Sequence, residues 1–470
     1  MAATAVEIAA SEAKTRPGIV FTIVAVGVVL ATVDQFVVNI AYTAIARGLS
    51  GNLSTVSWVL NGYSIVFAAL LVPAGRLADR SGRKRGFLFG VALFTVASAA
   101  CAASPDLAFL IAARAVQACG AAFLVPSSLG LLLAAYPAER QSGAVGGWMA
   151  VTGVSAALGP VVGGLLVAVD WRWIFLVNVP VGALALALGI RLLPTVRQEA
   201  TRIPDLLGAL FLVAATAAVS LGLVQANEWG WGSARIVASF LAAALLVAWF
   251  IRRSAVHAAP VVELSLLRTP RFAVSYVAIV FYCAAFSAML LSVILWAQTA
   301  WHWSALESGL AFAPGPVMVP LFSWLSVRLA RRFGAGLIAA AGCAVFGGAG
   351  LVSDRLQTLA PHYLTAMLPS AIMMGIGVGL AMPTLMAAGA ASLPKERYAT
   401  GSGVLSMGRQ LGFTLGVAVF VAVIGTPGHG MHQLRAFQHG WIAVAVIGAA
   451  GALVSLALAS SDTRGERPAA

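Results

Sequence analysis

Charge is what this chain has least of. Asp, Glu, Lys and Arg together make up 10% of its 470 residues, 60% are hydrophobic, and the mean hydropathy is +0.94. That balance excludes a soluble globular domain, whose surface needs far more charge. Lysine is scarcest: Lys14, Lys84 and Lys395 are the only three. None follows a glycine, so a phosphate-binding loop of the G-K-[ST] type is absent, which counts against a primary pump. The six histidines do not cluster near acids. A membrane enzyme would want a metal set or a nucleophile–base pair at depth, and neither is found, so no enzymatic activity, metal or cofactor is expected. The four cysteines, Cys101, Cys119, Cys283 and Cys343, lie in apolar stretches without disulfide or metal spacing. The first 18 residues lack a short apolar core with a cleavage site, so the first span is expected to be retained.

What is there is apolar runs. Fourteen can be read, beginning near Gly18, Leu53, Gly86, Asp106, Ser142, Trp173, Pro204, Ser233, Arg271, Ala305, Ala335, Pro361, Arg397 and Ala436. The expectation is an all-α polytopic membrane protein in a plasma (inner) membrane. With the N-terminus in the cytoplasm, only Arg47, Arg172, Arg235, Arg355 and Arg435 fall outside, and Arg114 and Arg409 fall inside spans. The other 22 of 29 basic residues are cytoplasmic, a strong positive-inside bias that also returns the C-terminus to the cytoplasm. The net charge of +13 is therefore a topology signal, with no nucleic-acid partner implied. Lipid, a small molecule and protons are the expected partners of a monomer.

The chain repeats itself. Arg76-Leu77-Ala78-Asp79-Arg80-Ser81-Gly82 returns 252 residues later as Arg328-Leu329-Ala330-Arg331-Arg332-Phe333-Gly334. Gly120 and Pro126 have counterparts in Gly377 and Pro383, offset by 257. Two six-helix halves, 18–193 and 271–459, are expected around an insertion of two helices and their linkers, 194–270. Short tails, 1–17 and 460–470, flank them. The second linker has the length for a short amphipathic helix on the membrane surface.

Of sixteen acids, only Asp34 sits deep in a span. A carboxylate there costs at least ~2.5 kcal/mol on insertion scales, and such residues normally line a bundle interior or a water-filled cavity. The alternatives are a structural acid or a proton or cation site. Asn61, Gln117, Tyr282 and Phe286 are candidate cavity residues, and Arg409 is either a carbonyl-binding arginine or a functional one. Charge counting points to neutral, zwitterionic or monocationic substrates. The loop Gly75 to Arg85 joins two glycines, Gly75 and Gly82, to Asp79, Arg80 and Arg83, a charge cluster suited to latching helix bundles in one of two states. Gly153, Gly159, Gly163 and Gly164 make a smooth packing face, and Pro160 permits a kink.

These motifs resemble the major facilitator superfamily, and taken together its fourteen-helix drug–proton antiporter branch. Gly75 to Arg85 is similar to the family's loop between helices 2 and 3. Phe109 to Gly120 is similar to its fourth-helix motif, with a buried Arg and a Gln one turn on. Gly153 to Gly164 is similar to the fifth-helix motif of exporters, and Trp171 to Gly182 to the entry of helix 6. Asp34 to Ala41 is similar to the branch's first-span motif, with Phe36 in place of its Thr and Thr43 in place of its Pro. The resemblance implies the major facilitator fold and a multidrug exporter working by alternating access. Asp34 and Arg114 would couple protons, and the fifth-span seam would seal one side. The alternative is a dedicated exporter of one endogenous metabolite or self-made antibiotic.

Overall fold

The structure is a computed structural model and describes residues 17–195, 203–394 and 397–465. Most of the expected N-terminal tail, part of the first linker, Lys395 and the extreme C-terminus lie outside the described residues. Fourteen helical segments cross the bundle. They are α1 Pro17–Gly48, α2 Leu53–Ser81, α3 Arg83–Ala102, α4 Leu107–Ala135, α5 Ala138–Val167, α6 Trp173–Leu192, α7 Leu206–Val224, α8 Ala234–Val256, α9 Pro270–Thr299, α10 Ala305–Phe333, α11 Ala335–Leu356, α12 Tyr363–Ala391, α13 Tyr398–Ile424 and α14 Met431–Gly465. The last begins five residues before its expected start. Thirteen are long and apolar enough to span on their own, and α5 completes the set as a pair, Glu139–Ala156 and Leu158–Val167, bent by 41°. The bend falls just before Pro160, whose ring clashes with the carbonyl four residues back. The face on which α1 begins and α14 ends is called the terminal face below, and the opposite one the far face.

Short polar residues start the helices. Asn52, Asp106, Asp205 and Ser233 accept bonds from the backbone N–H groups of Thr55, Phe109, Gly208 and Ile236. Ser304 and Glu307 close a reciprocal capping box at the start of α10. The internal repeat appears in the backbone. Gly82 ends α2 at φ 102° and Gly334 ends α10 at φ 87°, a region that favours glycine.

Helices α1–α6 pack among themselves, as do α9–α14. The pair α7–α8 lies outside, with α7 seated against α2 and α13, which meet across the halves as α5 and α10 also do. The linker before α9 differs from expectation. Its only helix is one turn, Leu264–Leu267, with Val261, Val262 and Leu266 buried. It is strapped down instead: Glu263 pairs with Arg76 at 3.0 Å, and the Ala259 carbonyl accepts from Asp205 N–H at 3.1 Å. Trp296 and Trp301, near the far end of α9, are buried. Trp296 stacks on Phe437 and Trp441, so it packs the second half instead of anchoring it to lipid headgroups.

Candidate functional site

Asp34, Arg114, Gln117 and Asn178 meet in the middle of the first half. Asp34 is 0% exposed and Arg114 is 1% exposed. The sequence places Asp34 and Arg114 at similar depths on opposed helices, and the packing of α1 on α4 closes the gap. Arg114 Nη1 donates to one oxygen of Asp34 in an ion pair. The other oxygen accepts from Gln117 Nε2 at 2.9 Å and from Asn178 Nδ2 at 3.0 Å. Both carboxylate oxygens are thus satisfied, which an ionised acid at this depth requires. Arg114 also donates to the Val59 carbonyl at 3.3 Å and to Gln117 Oε1 at 2.6 Å, and its guanidinium lies 4.1 Å from the centre of the Tyr63 ring. That stacking adds ~0.5–2 kcal/mol in a dry site. Gln117 Nε2 also reaches Ser98 Oγ at 2.7 Å.

Asn178 was absent from the residues singled out in the sequence. The signal was legible, since it is the one amide in the apolar run of α6. Ser98 carried no signal, because small polar residues are common in membrane helices. Asn61 is fully buried but apart from this network, and both atoms of its amide lack a hydrogen-bond partner.

Two residues along α1 from the acid, Phe36 faces an apolar cavity of about 110 Å³ between the halves. Phe36 and Phe286 line it with Gly153, Pro160, Phe312 and Met374, and no charged residue does. Phe36, standing where the resembling branch has Thr, meets Phe286 and Phe413 with ring centres 6.1 and 6.2 Å apart. Phe286 in turn meets Phe346 at 5.9 Å. Tyr282 does not line the cavity; it sits behind, buried against Phe346. Phe346 and Phe413 are missing from the residues read in sequence, where an aromatic in an apolar helix looks like any other packing residue.

The fifth-helix glycines divide by neighbour. A Cβ on Gly159 would lie 2.8 Å from Phe36 Cβ, and one on Gly163 would lie 2.7 Å from a Val37 methyl, so both hold α5 against α1. Pro160 and Gly164 instead face the second half. A Cβ on Gly164 would lie 2.8 Å from the Ala305 carbonyl oxygen, and one on Gly309 would lie 2.4 Å from that of Pro160. Gly153 faces open space. The seam is therefore tight toward the far face, where Gln298 also bridges α9 to α1 through Thr43 at 2.5 Å and the Ile40 carbonyl at 3.0 Å. The terminal halves of α5 and α10 carry exposed Met149 and Trp324.

At the terminal face, Asp79 pairs with Arg83 at 2.8 Å, and Arg83 donates to the Gly130 carbonyl at 2.8 Å. A Cβ on Gly130 would strike the Arg83 side chain at 2.5 Å. Gly75 rests on Pro126 of α4, while Arg80 is exposed. This cluster stays within the first half, binding α2 and α3 to α4. Among the described residues, the ion pair Arg76–Glu263 leaves the half. Glu263, a lone acid in a linker, had no partner that its spacing could reveal.

The comparisons with known proteins agree with this architecture. A family model of the Major Facilitator Superfamily matches residues 24–208 and 206–417, and the chain belongs to that superfamily. Within it, the chain is similar to the methylenomycin A resistance protein of Streptomyces coelicolor, 33% identical over 90% of this chain and 87% of that one. It is also 33% identical to the tetracenomycin C resistance and export protein of Streptomyces glaucescens, over 87% of this chain and 76% of that one. Its fold matches the crystal structure of a bacterial homologue of the human lysosomal transporter Spinster, with a TM-score of 0.69, 14% identity, and coverage of 97% of this chain and 100% of that one.

Proposed function

We propose that this chain is a secondary active exporter that expels lipophilic small molecules in exchange for protons by alternating access. The observation that carries this reading is that α1 holds the enclosed Asp34–Arg114 pair within the first half while Phe36, two residues on, lines an apolar, aromatic cavity between the halves. The cavity offers contact area without directed polar bonds, which suits varied lipophilic cargo. Protonation of Asp34 removes Arg114's counter-ion. Loss of that proton restores it. The pair thus has two states that favour different helix arrangements, and cargo movement can follow proton movement. The arginine distribution supports a plasma-membrane location with the terminal face in the cytoplasm. The tight far-face seam then corresponds to a cytoplasm-facing state, with Pro160 and Gly164 against Ala305 and Gly309 as the outer seal, and Gly159 and Gly163 fixing α5 to α1 behind it. Asp79, Arg83, Gly75 and Gly82 hold the inner ends of the first half together as it rocks.

The tetracenomycin relative favours a second reading, a dedicated exporter of one metabolite made by the cell. The discriminating test is reconstitution into proteoliposomes with an imposed pH gradient and a broad compound panel. Uphill accumulation of many unrelated lipophilic compounds supports broad efflux. Accumulation of one chemical series supports the dedicated exporter, and no gradient-driven accumulation of any compound refutes proton exchange.

A further inference from the structure

Arg409 is the second cation at membrane depth, and unlike Arg114 it has no counter-ion among the described residues. Among the described residues no carboxylate pairs with it, and its Nε has no hydrogen-bond partner. The neighbouring Gln410 is 1% exposed; its oxygen accepts from Gln35 of α1 at 2.7 Å, and its Nε2 is also unpartnered. The direction of Arg409 follows from helix geometry. Gly408 and Gly412 face α9, meeting Tyr276 and Cys283, whereas Gln410 faces α1. Arg409 lies between these two directions, on the same stripe as Phe413 one turn away. Phe413 enters the gap between α1 and α9, where it meets Phe36 and Phe286. Arg409, half-buried, points into that gap one turn nearer the terminal face.

The charge balance of the cavity region follows. Asp34 is fully enclosed and its charge is matched by Arg114, so it does not offer a carboxylate to a cationic cargo. What remains is the single positive charge of Arg409, beside an unpartnered amide donor. Charge counting in the sequence gives neutral, zwitterionic or monocationic compounds as the expected substrates; this arrangement of charge points to an anion instead.

We propose that Arg409 and Gln410 form a docking point for an acidic oxygen group, and that the preferred cargo is a lipophilic monoanion whose apolar body rests on the Phe36–Phe286–Phe413 cluster. The proposal rests on the exporter reading and gives it a substrate class: the apolar body lies at the Phe36–Phe286 wall of the cavity and the acidic group in the adjoining gap, one turn nearer the terminal face. The guanidinium supplies charge-assisted donors to a carboxylate, which its ester cannot match.

The test is equilibrium binding to the purified full chain in nanodiscs, with empty nanodiscs subtracted. The probes are 1-pyrenebutyrate, 1-naphthylacetate and 4-biphenylacetate, each beside its methyl ester, with rhodamine 6G as a monocation. At least one acid is expected to bind about tenfold or more tightly than its ester and than the monocation. Arg409→Gln removes that difference with little change for the ester, and Arg409→Lys retains part of it. The proposal is overturned if no acid exceeds its ester in the wild type, a comparison that needs no variant to fold. It is equally overturned if the acid preference survives in Arg409→Gln. Binding requires no gradient, so this result is separate from that of proton exchange. An acid preference without uphill transport on a pH gradient removes the exporter reading and leaves the docking point standing.

Discussion

Replacing Asp34 by Asn tests the coupling site most directly. The substitution keeps the shape of the side chain and removes its charge. Arg114, 1% exposed, then loses the counter-ion at its Nη1. Removing one partner of a buried pair costs ~3–5 kcal/mol. The loss is softened because Arg114 keeps the Val59 carbonyl, the Gln117 oxygen and the Tyr63 ring. It is deepened because the new amide must turn its NH2 either toward Arg114 or toward the donors Gln117 and Asn178. Either choice opposes donor to donor at ~1–3 kcal/mol. The same arithmetic measures what protonation of Asp34 can do in the cycle. Moving a two-state equilibrium from 1:99 to 99:1 takes ~5.5 kcal/mol, so loss of this pair has the right size to bias the bundle between states. The assay has two arms. In proteoliposomes with an imposed pH gradient, Asp34→Asn should abolish uphill accumulation while still permitting downhill exchange, and Asp34→Glu should keep partial coupling. In thermal unfolding of the purified chain, Asp34→Asn should melt lowest. The double variant Asp34→Asn with Arg114→Gln should recover part of the loss, since no buried charge is then left alone. Uphill accumulation by Asp34→Asn on the pH gradient alone would refute the reasoning and make Asp34 a structural acid.

Glu263→Gln breaks a half-buried cross-segment pair worth up to ~1 kcal/mol. It should therefore shift the far-closed population by no more than about fivefold, read by labelling of a cysteine at position 43; the exchange Arg76→Glu with Glu263→Arg should restore it. Gly309→Val adds side-chain atoms where even a Cβ would lie 2.4 Å from the Pro160 oxygen, so it should prop α5 off α10. Labelling at position 43 should rise and transport should stall; unchanged labelling would show that the seam does not seal the far face. For topology, a cysteine at Gly230 should react with an impermeant reagent from outside the cell and one at Ser81 should not; the reverse pattern would invert the proposed orientation.

Much of this protein is determined by local chemistry in the chain. Apolar runs long enough for a bilayer leave the backbone no choice but helices, because every N–H and C=O must find its partner within the segment. The repeat from Arg76 to Gly82 and from Arg328 to Gly334 is legible because both copies end on a glycine that must take positive φ. Asp34 and Arg114 stand out because a charge in a span is costly and therefore rare. Tertiary packing alone decided what they touch. Asn178 joins the acid, and Ser98 its partner Gln117, from helices distant in sequence, and Phe36, Phe286 and Phe413 become one surface only when α1, α9 and α13 converge. It also decided that Glu263 finds Arg76, that Trp296 turns inward, and that Arg409 meets no counter-ion among the described residues. Sequence periodicity assigns a residue to a face of its own helix. Which helix meets that face, and whether an opposite charge waits there, is settled only when the bundle closes.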